Sequence, residues 1–167
     1  GVNGADPHHA SCQDKLKVGD SVTFDIFTPF NNYWCDMTRT VFFGEATDEQ
    51  KRVYEAVRQA NLAGIAAVKP GVMLKDVDAA GRKVIEDAGY GPNFLHRIGH
   101  NIGIDVHELP DVGGTLPTIA EPGMIFSIEP GIYLPGKFGV RIEDLVLVTE
   151  DGCEVLNKAP KDFTIVK

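Results

Sequence analysis

Four carboxylates in this sequence lie in apolar segments where acidic residues are unexpected. They are Asp25, Asp36, Glu129 and Glu143, and each stands in a segment that predicts a β-strand, a structure in which acids are disfavoured. If these side chains converge, they must either take up protons or be neutralised by cations. Two divalent ions cancel four negative charges, so a two-metal site is the simplest explanation.

Two predicted hairpins bring the acids together in pairs. The first hairpin turns within residues 29–32, and strand pairing centred on that turn places Asp25 directly opposite Asp36. The second hairpin has a Pro-Gly turn, and pairing centred on it places Glu129 opposite Glu143. Directly opposed side chains lie ~5 Å apart, where like charges are destabilising. One such pair could occur by chance on a surface strand, but two pairs favour a site.

Three histidines follow one another closely between the two hairpins. With the two glycines among them they are His96, Gly99, His100, Gly103 and His107. A single histidine is more often a core or surface residue than a ligand, but three beside glycines indicate a segment whose backbone approaches another group closely. Oxygen ligands with one imidazole suit manganese, iron, cobalt or zinc better than copper.

The remaining pattern predicts an α+β domain. A capping box of Thr47 and Gln50 begins a helical pattern that predicts helices over residues 48–68 and 74–89. A hairpin and further strands are predicted over residues 20–44, 99–106, 124–130, 140–149 and 154–156. We expect one domain, residues 1–167, in which helices cover one face of a mostly antiparallel sheet.

Composition and charge narrow the class of function. The 167 residues include 16 Lys+Arg and 24 Asp+Glu, a formal net charge of −8, which argues against nucleic acid as a partner because phosphate-binding surfaces need clustered cations. No apolar run approaches the ~18 residues of a membrane span, so no membrane contact is expected. Three cysteines without a C-x-x-C pair predict reduced thiols in a cytoplasmic protein.

Several motifs resemble those of the pita-bread metallopeptidases, which include methionine aminopeptidase, aminopeptidase P and prolidase. The resemblance runs from residue 3 to residue 152, and its motifs are DMTRT at 36–40, GHNIG at 99–103, VHE at 106–108, SIEPG at 127–131 and VRIED at 140–144. It implies the pita-bread fold and two divalent metal ions, manganese in the first place, with cobalt, zinc or iron as alternatives. The five ligands that it implies are Asp25, Asp36, His100, Glu129 and Glu143.

Within this family, the chain resembles the Xaa-Pro branch. His96, four residues before the ligand histidine, and Arg141, two before the last ligand, match positions that proline-specific members use around the substrate. Arg141 could also form a salt bridge with a neighbouring acid, and the two roles are compatible. His8 matches the family's substrate-side histidine, while His9 stands where tyrosine is more usual. Phe27 replaces a common glycine and would reshape the pocket wall.

The resemblance implies hydrolysis of Xaa-Pro bonds in short proline-containing peptides, of the aminopeptidase P or prolidase type. A water shared by two cations would lose a proton near neutral pH and attack the scissile carbonyl. Glu129 would carry that proton to the leaving nitrogen. His107 and His8 would stabilise the oxyanion, and His96 with Arg141 would orient the proline. The full-length protein is expected to be a homodimer.

Two other functions remain open at this point, and so does the question whether the chain includes the whole domain. A catalytically silent peptide- or protein-binding domain and a metal-free hydrolase of a small C–N substrate such as creatine use the same fold, but the complete ligand set disfavours both. The family's fold has two similar halves, and no helical pair precedes the first hairpin. We therefore expect a domain truncated at its N-terminus, with an exposed apolar face at Val22, Phe24 and Ile26.

Overall fold

The fold combines two helices with three small sheets in a computed structural model that describes residues 1–114 and 117–167. The α-helices of the described residues are α1, Asp48–Ala67, and α2, Leu74–Asp87. The strands are β1 (Ser21–Phe30), β2 (Tyr33–Phe43), β3 (Gly99–Asn101), β4 (Glu108–Val112), β5 (Ile125–Ile128), β6 (Gly131–Leu134), β7 (Phe138–Arg141), β8 (Asp144–Val148), β9 (Cys153–Val155) and β10 (Ile165–Val166).

The sheets are mostly antiparallel, as predicted. The largest has the strand order β4-β3-β5-β8-β9, a second has the order β1-β2-β10, and β6 pairs with β7 alone. Only β10 runs parallel to its neighbour, β2, among the described strands. α1 packs against β5, β6 and β7, so the predicted α+β class is confirmed.

The first hairpin turns later than the sequence analysis predicts. Asn31 and Asn32 have φ angles of 50° and 68°, which a two-residue hairpin turn requires and which Asn tolerates better than most residues. Pro29 consequently stays within β1, and β1 is an edge strand, where a missing N–H is tolerated. Of the residues predicted as a turn, 29–32, only Asn31 and Asn32 form it.

This turn corrects the predicted pairing of the first two acids. Asp25 pairs with Thr38, and Asp36 pairs with Phe27, so the two acids are not directly opposed. Paired residues of an antiparallel ladder share a face, and so do residues two apart on one strand. Asp25 and Asp36 thus remain on one face as diagonal neighbours.

The second hairpin has the predicted register. The β5–β8 and β6–β7 pairings continue one another without a shift, so Glu129 faces Glu143 across the break that separates the two pairs of strands. Gly136 turns the chain with a φ angle of 74°, a conformation that glycine adopts without strain.

The strand predicted over residues 99–106 is much shorter than expected. β3 ends at Asn101, with a register shift between His100 and Asn101, and the sequence does not predict β4 at all. Gly99 lies where the sequence predicts close backbone approach: a Cβ there would overlap the carbonyl oxygen of Ser127. This contact sets His100 beside β5.

Both helices begin close to their predicted positions. Thr47 and Gln50 form the predicted capping box, in which each side chain accepts the other residue's backbone N–H. The buried face of α1 carries Val53, Val57 and Ala60, which belong to the main hydrophobic core. Among the described residues, neither helix has the length and apolar character needed to cross a membrane.

We expect Thr47→Ala to lower the free energy of unfolding by about 1 kcal/mol, because the Gln50 N–H loses its acceptor. Urea denaturation of both proteins measures the difference. Thr47→Ser keeps the accepting oxygen and serves as the control. An equal loss in both variants would contradict a role for the hydroxyl.

One face of the first hairpin is apolar and exposed. Phe24, Ile26, Phe30 and Tyr33 share this face, and their exposed fractions are 50%, 52%, 75% and 63%. Phe24 and Ile26 are exposed as expected, whereas Val22, the third residue of the expected patch, is only partly exposed. The helical pair expected to cover it stays a prediction.

Candidate metal centre

Three potential ligand atoms converge in the interior. Asp36, His100 and Glu143 are buried, and one ligand atom from each lies within 4.8 Å of the other two. Glu129 adjoins them, with its Oε1 3.5 Å from Nε2 of His100. Asp25 lies at the edge of the group. The structure therefore brings all five predicted ligands to one place.

A cavity of about 180 Å³ opens beside these five residues. Strands β1 and β2 supply the two aspartates, β3 supplies the histidine, and the breaks flanking the β6–β7 hairpin supply the two glutamates. The wall is completed by the side chains of His8, Phe27, Val106, His107 and Arg141. Carboxylates from two hairpins thus line the same cavity as a single buried imidazole.

The surroundings of His100 leave one ring nitrogen free for a ligand. Nδ1 lies 3.1 Å from the carbonyl oxygen of Asn101, and because a carbonyl only accepts, Nδ1 carries the proton. Nε2 then directs its lone pair toward Asp36 and Glu129, whose nearest oxygens lie at 3.9 and 3.5 Å. Burial lowers the pKa of His100 to about 4, so at neutral pH the ring is in the uncharged form that binds metals.

Burial and mutual repulsion raise the pKa values of three carboxyl groups. Burial, reinforced by the charge of Asp25, raises the pKa of Asp36 to about 7. Burial also raises the pKa of Glu129 to about 7. The pKa of Glu143 lies well above its ordinary value because of burial and the charges of Glu129 and Asp36. Without a cation the cluster would hold protons near neutral pH.

One buried oxygen of the cluster lacks a partner. Oδ1 of Asp36 makes no hydrogen bond to any described residue, although buried polar atoms are nearly always bonded. A cation would satisfy this oxygen and replace the bound protons. Carboxylate oxygens with one imidazole are a donor set for manganese, iron, cobalt or zinc. The residues present therefore fit divalent metal ions.

Two hydroxyl groups that the sequence analysis did not single out orient the carboxylates. Oγ1 of Thr38 lies 2.7 Å from Oε2 of Glu143, and Oγ of Ser127 lies 3.3 Å from Oε1 of Glu129. Such partners fix the orientation of ligands. Their position provides a signal, since Thr38 follows Asp36 by two residues, Ser127 precedes Glu129 by two, and strand residues two apart share a face.

Arg141 holds the acid at the edge of the cavity. Its Nη2 lies 2.6 Å from Oδ2 of Asp25, and its Nη1 donates to the hydroxyl of Tyr133 and the carbonyl of Pro7, each at 3.1 Å. Nε donates to Thr38. The structure shows the salt bridge that the sequence left open, and Arg141 also lines the cavity.

His96 lies behind Arg141 instead of on the cavity wall. Its Nδ1 donates to the carbonyl of Arg97 at 2.7 Å, and its Nε2 accepts from the hydroxyl of Tyr133 at 2.9 Å. Burial lowers the pKa of His96 to about 4, which favours this neutral form. The expectation that His96 helps to orient a proline stays a prediction, and the structure connects His96 with Arg141 through the hydroxyl of Tyr133.

Two further histidines and one aromatic ring shape the open side of the cavity. The ring of His107 lies 4.0 Å from that of His100 between centroids, and burial lowers the pKa of His107. His8 contributes to the wall, whereas His9 lies outside it. Phe27 adds an apolar surface where the sequence predicts a reshaped wall. The open side of the cavity therefore has both hydrogen-bonding imidazoles and an apolar surface.

Fold and site together define a pita-bread metallopeptidase domain. Residues 1–150 match the metallopeptidase family M24, and the chain belongs to that family. The Xaa-Pro dipeptidase of Lactobacillus delbrueckii subsp. lactis is 43% identical over 166 residues, which are 99% of this chain and 45% of that protein.

Solved structures agree with this assignment. A prolidase from Thermococcus sibiricus superposes with a TM-score of 0.96 at 43% identity, over 99% of this chain and 45% of the other. An X-Pro aminopeptidase from Thermotoga maritima gives 0.94 at 38% identity, over 98% of this chain and 46% of the other. The chain therefore spans slightly less than half the length of these relatives.

Proposed function

We propose that this chain forms the catalytic part of a metallopeptidase that hydrolyses Xaa-Pro peptide bonds with two divalent ions, manganese in the first place. The observation that carries the proposal is the unpartnered Oδ1 of Asp36 inside a buried cluster of carboxylates and one imidazole. The names of its relatives, Xaa-Pro dipeptidase and prolidase, support short proline-containing peptides as substrates.

The ions would be held by Asp25, Asp36, His100, Glu129 and Glu143. When bound, they supply Lewis acidity and bring the pKa of a water toward neutrality. Asp36, His100 and Glu143 form the one group of three such side chains among the described residues whose ligand atoms lie within 4.8 Å of one another.

Glu129 is suited to carry the proton. Its carboxylate lines the cavity beside His100, where a positioned general base can accept a proton and return it to the leaving nitrogen. That return matters for proline, because its amide nitrogen has no N–H of its own and must gain a proton to leave as an amine.

The cavity wall explains how a peptide would be bound. His8 and His107 can donate to the scissile carbonyl and to the oxyanion that develops from it. Phe27 and Val106 offer an apolar surface to the proline ring, and Arg141 keeps Asp25 in place. Since a proline presents no N–H, selection must rest on ring shape.

Hydrolysis of matched dipeptides tests the proposal. The full chain is stripped with a chelator, reloaded with Mn²⁺ and assayed with Xaa-Pro, Xaa-Pro-Yaa and Xaa-Ala peptides. We expect cleavage only after Mn²⁺ returns, and a preference for Pro over Ala of about 10–100-fold, as hydrophobic pockets provide. Failure to cleave any peptide with Mn²⁺ would leave a peptide-binding domain in place of an enzyme. The two proline substrates distinguish a dipeptidase from an aminopeptidase.

The same proposal places the enzyme in the cytoplasm, as a homodimer of the longer protein. The three cysteines are free thiols, the usual state in a reducing compartment. Size-exclusion chromatography of the full-length protein measures the oligomeric state.

A further inference from the structure

A buried arginine lies directly beneath the candidate metal centre. Arg39 is 9% exposed, and its guanidinium carries five N–H donors. Each donor has an acceptor: Oδ1 of Asp144 and the carbonyl oxygens of Thr38, Glu143, Ala159 and Pro160. The contact with the Glu143 carbonyl, at 2.5 Å, fixes the backbone of a candidate ligand.

Lys161 completes this arrangement from the C-terminal segment, residues 156–163. Its Nζ donates to Oδ2 of Asp144 at 2.8 Å and to Oδ1 of Asn61 at 2.9 Å. Asn61 in turn donates to the carbonyl of Ile128 at 2.8 Å, the residue that precedes Glu129. One ammonium group therefore connects the backbone next to Glu129 with the carboxylate that holds Arg39.

A third contact of the C-terminal segment reaches another candidate ligand. Nδ2 of Asn157 donates to the carbonyl of Asp36 at 3.1 Å, and its Oδ1 accepts the N–H of Leu145 at 2.5 Å. The segment thus supports the backbone at Asp36 directly, and at Glu143 and Glu129 through Arg39 and Asn61.

We propose that Lys161 is a positioning residue for the metal site. This inference rests on the proposed metal centre, and it assigns the C-terminal segment a part in setting the separation of Glu129 and Glu143. Asp144 is fully buried, so loss of one of its two cations leaves a carboxylate oxygen unsatisfied, and the surrounding backbone must move to solvate it. Ligands displaced by a fraction of an ångström bind metal less tightly.

Manganese titration of Lys161→Met in the full chain tests the proposal. Met keeps the aliphatic stem and removes the donors, and we expect the Kd for Mn²⁺ in calorimetry to rise about 10-fold, as for other residues that orient ligands. Lys161→Arg should return the Kd to near the parent value. Lys158→Met is the matched control, because Lys158 lies in the same segment but is 75% exposed in its side chain, and its polar contacts among the described residues are with Glu154 and Val155. Its Kd should stay within about twofold of the parent value.

Each outcome of the titration decides whether Lys161 positions the metal ligands. A parental Kd in Lys161→Met, even with a lower melting temperature, would overturn the proposal and leave the segment as an anchor of the fold. If the parent itself binds no Mn²⁺, the proposed metal centre fails and the role of Lys161 with it. If Lys161→Met does not fold, Lys161→Gln replaces it, because glutamine keeps an N–H donor for Asp144. We expect this variant to raise the Kd for Mn²⁺ by a smaller factor. An unchanged Kd in Lys161→Gln would also overturn the proposal.

Discussion

Replacing Asp36 by alanine should abolish tight metal binding at both positions and lower kcat for an Xaa-Pro peptide by about 10³ or more, since the ions supply several kcal/mol of charge stabilisation. Asp36 interacts with several members of the cluster: its Oδ2 lies 3.9 Å from Nε2 of His100, and the charge of Asp25 contributes to its raised pKa. We therefore expect both ions to depend on it. Calorimetry with Mn²⁺ and a peptide assay measure the two effects.

Two comparison variants separate this role from a general loss of charge. His100→Ala removes a donor at one end of the cluster and should chiefly weaken one of the two binding events. Glu154→Ala removes an exposed acid of β9 in the same sheet as His100, and should leave both events unchanged. Two ions bound to Asp36→Ala with parental affinity would show that Asp36 is not shared.

The convergence of the acids is predictable from sequence because successive side chains of a strand alternate between its two faces. The first hairpin turns one position later than predicted, yet Asp25 and Asp36 remain on one face, since a displaced turn centre changes the partner but not the face. A strand whose register slipped by a single residue would have put one acid on the opposite face. The second register follows from its Pro-Gly turn alone.

Contacts between distant segments are the part that the sequence does not reveal. Tyr133 connects His96 with Arg141, and Lys161 reaches Asp144 and Asn61. None of these pairs has a periodic spacing, because the partners come from separate elements that only the folded chain brings together. The sequence predicts that His96 helps to orient a proline, but the hydroxyl of Tyr133 that connects it with Arg141 is known only from the folded chain.

Short strands escape detection for a different reason. β10 contributes two paired residues and β4 contains a proline, so neither shows the alternation over several residues that identifies a strand. Each depends on a neighbour already in place, β2 for β10 and β3 for β4. Their formation is a consequence of tertiary structure.

In the metal-free protein, we expect Asp36→Asn to increase the free energy of unfolding at pH 8 by a few kcal/mol, although the same change removes activity. The pKa of Asp36 is raised from 3.8 to about 7, which corresponds to roughly 4 kcal/mol of differential stability between its charged and neutral forms. Asparagine keeps the shape of the side chain and removes the charge, so the cost of burying that charge and its repulsion from Asp25 both disappear.

The pH dependence of the free energy of unfolding follows from the same pKa shifts. A carboxyl whose pKa is raised on folding stabilises the fold fully below its unfolded pKa near 4, and this contribution is lost as the pH rises through about 7. Asp36, Glu129 and Glu143 act in this direction. His96 and His100 oppose them, because their pKa values are lowered to about 4, so their contribution is lost as the pH falls from 6.5. His107 acts with these two imidazoles, because burial lowers its pKa as well. The three carboxyls, among them Glu143 with a pKa well above its ordinary value, outweigh the three imidazoles, so the metal-free parent should be more stable at pH 5 than at pH 8.

Urea denaturation of the chelated parent and of Asp36→Asn at pH 5 and pH 8 measures the effect. The difference in unfolding free energy between the two pH values should be smaller in the variant by roughly 3 kcal/mol, the contribution of one such carboxyl over this range. Glu154→Gln, which neutralises an exposed acid, should leave the difference as it is in the parent. Because a divalent cation takes the place of the protons, Mn²⁺ should stabilise the parent most at pH 8 and stabilise Asp36→Asn least. Equal stability of parent and variant at pH 8 would mean that neither burial nor neighbouring charge disfavours the Asp36 carboxylate in the folded chain, and the physical argument for a cation beside it would fail.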